Sequence, residues 1–502
     1  METTSFSQKS KELPLLGSSI PRTELSDILE ISIELLDRFP EILEKIEADL
    51  TALGIKKKRK RLKDRAWEMS HGELPGFETD DYTEPEYLEL ETGRDRTMTP
   101  LITYIFIMLR GYFSSVSASR AIDRIRDSKV VDVYIKTYGN GEMPGRSTAH
   151  ENVNAISQET KEYIHQCQLD MVHTEGLDDF SELILDSTAV KADSCWPTDS
   201  GVLCDIVHRG YRKSQRLNEL FGIPNFMDGY MNMWLGKIKG YHFLISVTSG
   251  KGAKVKRRSV YRKLYKEIEK FVSHIRRELK KHCSVMEAAA LPPSKRERLD
   301  KFWGSIANDM DDAELVMTYS KERIIDEKDT AAEKIVSLSD GSAAFISKGG
   351  RETIVGYRPQ VGRSGNGFVT VLHVPEGNAG DAPQLEPLVM KVIENTGIAP
   401  RCVSTDDGYS SKKGRDAVLK IKGIEAVSIS GSKGKDLISE EDWESELYKE
   451  ARRNRSAVES LMFVLKYSFE FGRLRRRGID AVREELLEKA IVHNFSRIAL
   501  MR

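Results

Sequence analysis

Two aspartates that close short strand patterns, and one glutamate in a basic helical stretch, set the chemistry available to this chain. Leu183-Ile-Leu-Asp186 reads as a buried strand ending in a carboxylate, and Val403-Ser-Thr-Asp406 as the end of a second strand. Ligands meet an open α/β sheet at the C-terminal ends of such strands. Glu459 lies on a late helix, at a place that could bring its carboxylate up to the other two. Three carboxylates at one spot cannot all stay ionised cheaply without a cation between them. Oxygen ligands with room for water and phosphate oxygens suit magnesium or manganese. A strand-end Asp taken alone is more often a turn or helix cap, so it is the ordered trio that points to a metal site.

Around these residues the pattern predicts a mixed sheet. A strand at 183–190 is followed by a long helical insertion, with a helix over 255–283 on which Leu264, Ile268, Val272, Ile275 and Leu279 recur at helical spacing. Strands return at 343–346, 353–357 and 367–374, then a helix over 383–395, the strand ending at Asp406, a helix over 411–421, a strand over 426–430, and a helical region from about 447 to 498. Strands alternating with helices in this order predict a mixed α/β sheet with helices on its faces. Upstream, 23–50 is amphipathic with a break at Pro40, the stretch around Pro75, Gly76 and Pro85 reads as an acidic linker, and 99–135 carries three short helical patterns broken at Gly111 and near Asp127. That last stretch fits a helix-turn-helix or an ordinary helical bundle.

The charge sum hides its distribution. The 502 residues carry 77 Lys and Arg against 78 Asp and Glu, a net charge of −1, which by itself argues against nucleic acid. Locally, 56–65 holds eight basic residues and one acid, 66–96 holds ten acids and two arginines, 251–281 holds thirteen basic residues and three acids, and 451–502 holds twelve basic and six acidic. Neutralisation of phosphate is local, so three basic blocks favour a polyanion partner. The five scattered cysteines, none in a C-x-x-C pair, suggest neither disulfides nor zinc. Met1–Ser19 lacks the apolar core of a signal peptide, and Leu101–Leu109 is too short to span a bilayer, so a soluble cytoplasmic protein is expected. Ser249-Gly-Lys-Gly252 lacks the flanking residues of a nucleotide-binding P-loop.

Three motifs give the trio a frame. Leu185-Asp-Ser-Thr188 is followed by Trp196-Pro-Thr-Asp-Ser200; Ser404-Thr-Asp-Asp-Gly-Tyr409 surrounds the second Asp; and Arg455-x-x-x-Glu459 precedes Lys466 by the right interval. With Gly377-Asn-Ala-Gly-Asp381 and His493-Asn494 in support, the chain resembles the DDE transposases of bacterial insertion sequences, with an RNase H-like catalytic core. Arg452 stands where that family's Y-R-E-K signature has Tyr.

The resemblance implies an α/β fold: an RNase H-like mixed sheet with a helical insertion, preceded by an all-α N-terminal region. The expected domains are a helical region over 1–96, a helical DNA-binding region over 97–178, the catalytic core over 179–190 and 335–502, and a helical insertion over 191–334. Asp186, Asp406 and Glu459 would be catalytic and would hold two Mg2+ ions, with Mn2+ as substitute. The motif frame selects Asp406 over its neighbour Asp407; Asp193 and Asp199 read as structural. Arg455, Lys466, Arg452, Arg473 and Arg475 would bind DNA phosphate, with Arg455 and Lys466 on much the same helical face as Glu459 and Arg476 and Arg477 extending the strip. Trp196 could stack on an unpaired base, although a buried core Trp is the commoner outcome. The implied partners are DNA, both terminal inverted repeats and target, and a second copy on DNA, with no membrane and no nucleotide cofactor, at the nucleoid in the cytoplasm. Two competing readings share these features: a structure-specific nuclease without strand transfer, and a DNA-binding derivative that has lost catalysis.

Overall fold

A computed structural model describes residues 23–71, 98–113, 118–138, 142–223, 229, 231–288, 290–328, 334–347 and 352–502. The predicted acidic linker around Pro75 and Pro85 lies outside them. The chain divides into two compact units, one drawn from residues 1–54, 92–194 and 342–502, the other from 55–91 and 195–341.

The first unit contains eight strands among the described residues: β1 Glu182–Ser187, β2 Val190–Lys191, β3 Ala344–Ile346, β4 Ile354–Tyr357, β5 Gln360–Ser364, β6 Val369–His373, β7 Cys402–Thr405 and β8 Ala426–Ile429. Five of them form a sheet of order β6-β5-β1-β7-β8, in which β1, β7 and β8 are parallel neighbours and β5 runs antiparallel to both β1 and β6. This is the expected RNase H-like mixed sheet, preceded by an all-helical N-terminal region.

Two expectations need correcting. Strands 344–346 and 354–357 do not join the main sheet; with β2 they form a separate three-stranded sheet of order β2-β4-β3. The main sheet instead uses β5, a segment whose Pro359, Gly362 and Arg363 suggest a turn rather than a strand. Pairing on both edges overrides that local preference. Gly362 is required there, since a Cβ would lie 2.6 Å from Val371 Cγ1 beside the register shift between β5 and β6.

One sheet face buries Leu183, Leu185, Val403 and Val427 against Leu388, Val389 and Val392 of the Leu385–Thr396 helix. The Glu446–Asn454 helix is held by a 2.6 Å hydrogen bond from Ser404 Oγ to the Ala451 carbonyl. The edge strand β6 is closed by Asn494, whose side chain accepts from the Val369 amide at 2.8 Å and donates to the Val369 carbonyl at 3.0 Å. His493 completes this clamp at the Gly367 carbonyl, 3.2 Å away.

Upstream, Thr23 and Ser26 cap the Glu24–Arg38 helix reciprocally, and Pro40 separates it from Glu41–Ser70. The Pro100–Tyr112 helix is buried from Leu101 to Gly111. Gly111 does not break this helix, as its sequence suggests. It permits close approach to the Ile479–Met501 helix, where a Cβ would come within 2.7 Å of the Glu488 carbonyl oxygen. Burial on every side makes Pro100–Tyr112 a bundle element, unable to enter a DNA groove.

The second unit is helical. Asp199–Phe221, Met231–Val247, Ala253–Ala288 and Pro293–Ile324 enclose a core including Leu203, Ile206, Leu264, Ile268, Phe271 and Met310. Among the described residues no helix is long and apolar enough to cross a membrane.

Candidate active site

Strand register places two of the three predicted carboxylates at matching strand ends. β1 and β7 pair in parallel with Glu182 opposite Cys402, Leu183 opposite Val403 and Ile184 opposite Ser404. Asp186 and Asp406 each follow the last of these pairs by two residues, at the same end of two neighbouring parallel strands. The Ser187 amide donates to Asp186 Oδ1 at 2.7 Å, and the Gly408 amide donates to Asp406 Oδ1 at 2.9 Å. Asp186 is buried and Asp406 half-buried.

A polar network lies behind the pair. The Tyr409 hydroxyl donates to Gln360 Oε1, Gln360 Nε2 donates to Asp381 Oδ1 at 2.8 Å, Arg358 pairs with Asp381 Oδ2, and Arg358 Nε donates to Ser187 Oγ at 3.2 Å. Burial, followed by the charges of Asp381, Asp186 and Asp406, raises the Tyr409 hydroxyl well above the ordinary phenol range. Tyr409 is therefore a fixed donor. Gly408 fits between two carboxylates: a Cβ there would lie 2.6 Å from Asp381 Oδ2 and 2.9 Å from Asp406 Oδ1. The sequence carries no sign of the structural role of Asp381, because its partners Arg358 and Gln360 lie beside and in β5, a strand with little local signal.

Asp407 faces elsewhere. Its Oδ1 accepts from the Gly434 amide at 3.1 Å, and it lies so close to Gly431 that only glycine fits there. Asp193 pairs with Arg477 at 2.9 Å, and Asp199 pairs with Arg323.

Glu459 does not join the two aspartates. It lies in the first turn of the Ala457–Tyr467 helix, its side chain 68% exposed and 4.0 Å from Arg455 Nη2. Among the described residues no group of three His, Cys, Asp or Glu side chains is gathered closely enough to hold a metal ion. The helix nevertheless flanks β1 in the same direction. Asn454, just before it, donates to Glu182 Oε1 at 2.9 Å at the start of the strand, and Gly472 to Leu474, just after it, hydrogen bond the Lys191 backbone beyond the strand's end. Asp186 and Asp406 thus supply oxygen donors suited to a hard divalent cation, with Glu459 on an adjoining element.

The predicted cations are more dispersed than the sequence suggests. The helix breaks at Arg455 and Ser456, so Arg455 ends the Glu446–Asn454 helix and does not share Glu459's helix, whereas Lys466 stands in the last turn of Ala457–Tyr467. Arg452 lies over the Trp443 ring, 4.2 Å from its centroid. Arg473 is exposed beside Lys191, and Arg475 is half-buried with its amide donating to Glu485 at 3.0 Å. Arg476 is no part of a DNA-facing strip. Its side chain is 12% exposed and paired with Glu488 and Glu484, while Arg477 is taken by Asp193. The neighbouring acids belong to the following helix, so the linear run of arginines gives no hint of this pairing.

In the second unit Trp196 is 56% exposed, against the expectation of a core position. It lines a cleft of about 750 Å³ together with His242, Lys254, Arg257, Tyr261 and Arg323.

Comparison with known families matches residues 320–495 to the transposase DDE domain. The match includes β3 to β8, Asp406 and Glu459, and leaves Asp186 upstream of it. No curated protein and no solved structure gives a match.

Proposed function

We propose that this chain, which carries a transposase DDE domain, is the transposase of an insertion sequence that cuts DNA at the element's terminal inverted repeats and joins the freed 3′-hydroxyl to target DNA. The observation that supports this reading is that Asp186 and Asp406 each follow, by two residues, the last paired residues of the neighbouring parallel strands β1 and β7 in an RNase H-like sheet. Asp186 and Asp406, with Glu459, would hold two Mg2+ ions, with Mn2+ able to replace them. Such ions, when bound, supply charge neutralisation and polarisation of the attacking and leaving oxygens.

The chain's own residues do the rest. The Ser187 and Gly408 amides hold Asp186 and Asp406, and the Tyr409–Gln360–Asp381–Arg358 network braces the neighbouring Ser187 and Tyr409 before substrate arrives. Arg455 and Lys466 grip phosphates flanking the scissile bond, and Arg452, Arg473 and Arg475 hold the backbone further along. In the first step water attacks the phosphorus, the bond to the 3′-oxygen breaks, and that oxygen leaves as a hydroxyl. In the second, this hydroxyl attacks a target phosphorus and the target's own 3′-oxygen leaves. No bond to the protein forms at either step. The basic helix over 56–65 and the helices over 118–138 read the terminal repeats, the basic insertion contacts DNA, and two copies pair the two ends at the nucleoid.

The test is incubation of the protein with Mg2+, DNA carrying the element's ends, and a supercoiled target. Joined products are expected, and Asp186→Asn and Glu459→Gln should abolish them. Hydrolysis with no joined product would leave a nuclease in place of a transposase, and Mg2+-dependent cutting that survives both substitutions would overturn the site.

A further inference from the structure

Beyond Glu459, the Ala457–Tyr467 helix presents an uncovered aromatic pair. Val458, Leu461, Met462 and Leu465 are buried, whereas Phe463 and Tyr467 are 62% and 73% exposed with ring centroids 4.4 Å apart. Residues 459, 463 and 467 are four apart and therefore share one face. At about 1.5 Å rise per residue, Phe463 stands about 6 Å and Tyr467 about 12 Å along the axis from Glu459.

Two adjoining exposed rings signify contact with something else. The neighbourhood is cationic, with Arg455 beside Glu459, Lys466 next to Tyr467, and exposed Arg473 after the helix. A second copy of the chain is a poor occupant. Two aromatic side chains offer at most about 500 Å², against the roughly 800 Å² per partner of a stable interface. Rings flanked by cations suit nucleic-acid bases with their phosphates alongside.

We propose that Phe463 and Tyr467 form a stacking platform for unpaired bases about two to four nucleotides from the phosphate at Glu459, a distance set by about 3.4 Å per nucleotide. Bases in an intact duplex already stack on one another, so the platform selects DNA that is melted next to the reacting phosphate. The inference rests on the reading that this site acts on DNA and adds which DNA conformation it takes.

The test uses the full-length protein in EDTA, so that binding is read apart from cutting. Its probe is end DNA carrying 2-aminopurine at the second to fourth nucleotides, either fully paired or left unpaired there. Wild type should prefer the unpaired form by roughly tenfold or more and change the probe's fluorescence. The double variant Phe463→Leu with Tyr467→Leu keeps apolar bulk and loses the rings; it should lose both effects, bind paired DNA as before and sediment unchanged. Preference and signal that persist in this variant overturn the platform. So does an alanine double variant that dissociates a dimer while the leucine variant keeps it, since that would make the rings a contact between copies. In parallel reactions with Mg2+ in place of EDTA, cutting by a wild type that gives no probe signal in EDTA overturns the platform alone. A signal from a protein that never cuts supports the platform and overturns the transposase reading.

Discussion

Arg110 Nε donates to Glu488 Oε2 at 3.0 Å across 378 positions of sequence, with side chains only 3% and 1% exposed. Arg476 and Lys161 approach the same carboxylate, so one glutamate on the Ile479–Met501 helix ties the N-terminal helices to the segment that follows Glu459's helix. Burial alone would raise the Glu488 carboxyl, but Arg110, Arg476 and Lys161 outweigh it and hold it well below the ordinary range. A cluster of this kind is costly to break, because removing the shared anion leaves the buried Arg110 without a carboxylate and weakens the pairing of Lys161 and Arg476, which keep Glu484.

Glu488→Gln is accordingly expected to destabilise the first unit by about 3–5 kcal/mol, while Asp480→Asn, an exposed residue on the same helix, should change stability by less than about 1 kcal/mol. Urea unfolding followed by circular dichroism checks both. Equal effects of the two substitutions would refute a central role for the cluster.

Acid should weaken the first unit well before carboxylates titrate. Burial pushes His165 and His493 down to about 4 from an ordinary 6.5, and each donates Nε2–H to a backbone carbonyl as a neutral ring. With folded pKa below unfolded, their contribution is complete above about pH 6.5 and is lost as pH falls towards 4, at about 1.4 kcal/mol per pH unit for each. The Glu488 contribution is lost only in a lower window, below its ordinary 4.5. Unfolding free energies measured from pH 7.5 to 4.5 should show this slope, and His493→Gln should make it shallower.

Residues with strong local signals were legible in the sequence. Asp186 follows an apolar run and Asp406 a β-branched one, so their place at strand ends needed little tertiary information. Glu459 was legible as a helical residue, while the helix break at Arg455 was not, since nothing in Arg-Ser-Ala forbids a continuous helix. β5 was missed because its only apolar side chain is Val361 and its stability comes from pairing with β1 and β6. Missing β5 hid Gln360, and with it the network through Asp381 and Tyr409. Arg476 misled in the opposite way, for a run of arginines reads as surface until the acids of the next helix fold over it.

Gly408→Ala should impair the site without unfolding the protein. The added methyl would press against Asp381 Oδ2 and Asp406 Oδ1, while Gly408 itself is exposed at the strand end and away from the core. Misplacement by about 1 Å can cost about 100-fold in rate, so cutting of end DNA should fall by roughly that factor with the melting temperature nearly unchanged. Full activity in this variant would show that the Asp381–Asp406 spacing is not critical.

Asp406 and Asp407 should separate by what each substitution damages. Asp406 accepts from Gly408, within its own turn, and follows the β1–β7 pairing at the same end as Asp186, so Asp406→Asn should abolish Mg2+-dependent cutting and leave stability within about 0.5 kcal/mol of wild type. Asp407 anchors the Gly431–Gly434 loop through the Gly434 amide, and Asp407→Asn, which keeps an acceptor but loses the charge, should cost about 1 kcal/mol of stability and retain measurable cutting. Parallel cleavage assays and thermal melts of the two variants decide the matter: loss of cutting in the folded Asp407 variant, with activity kept by the Asp406 variant, would transfer the metal-ligand role to Asp407.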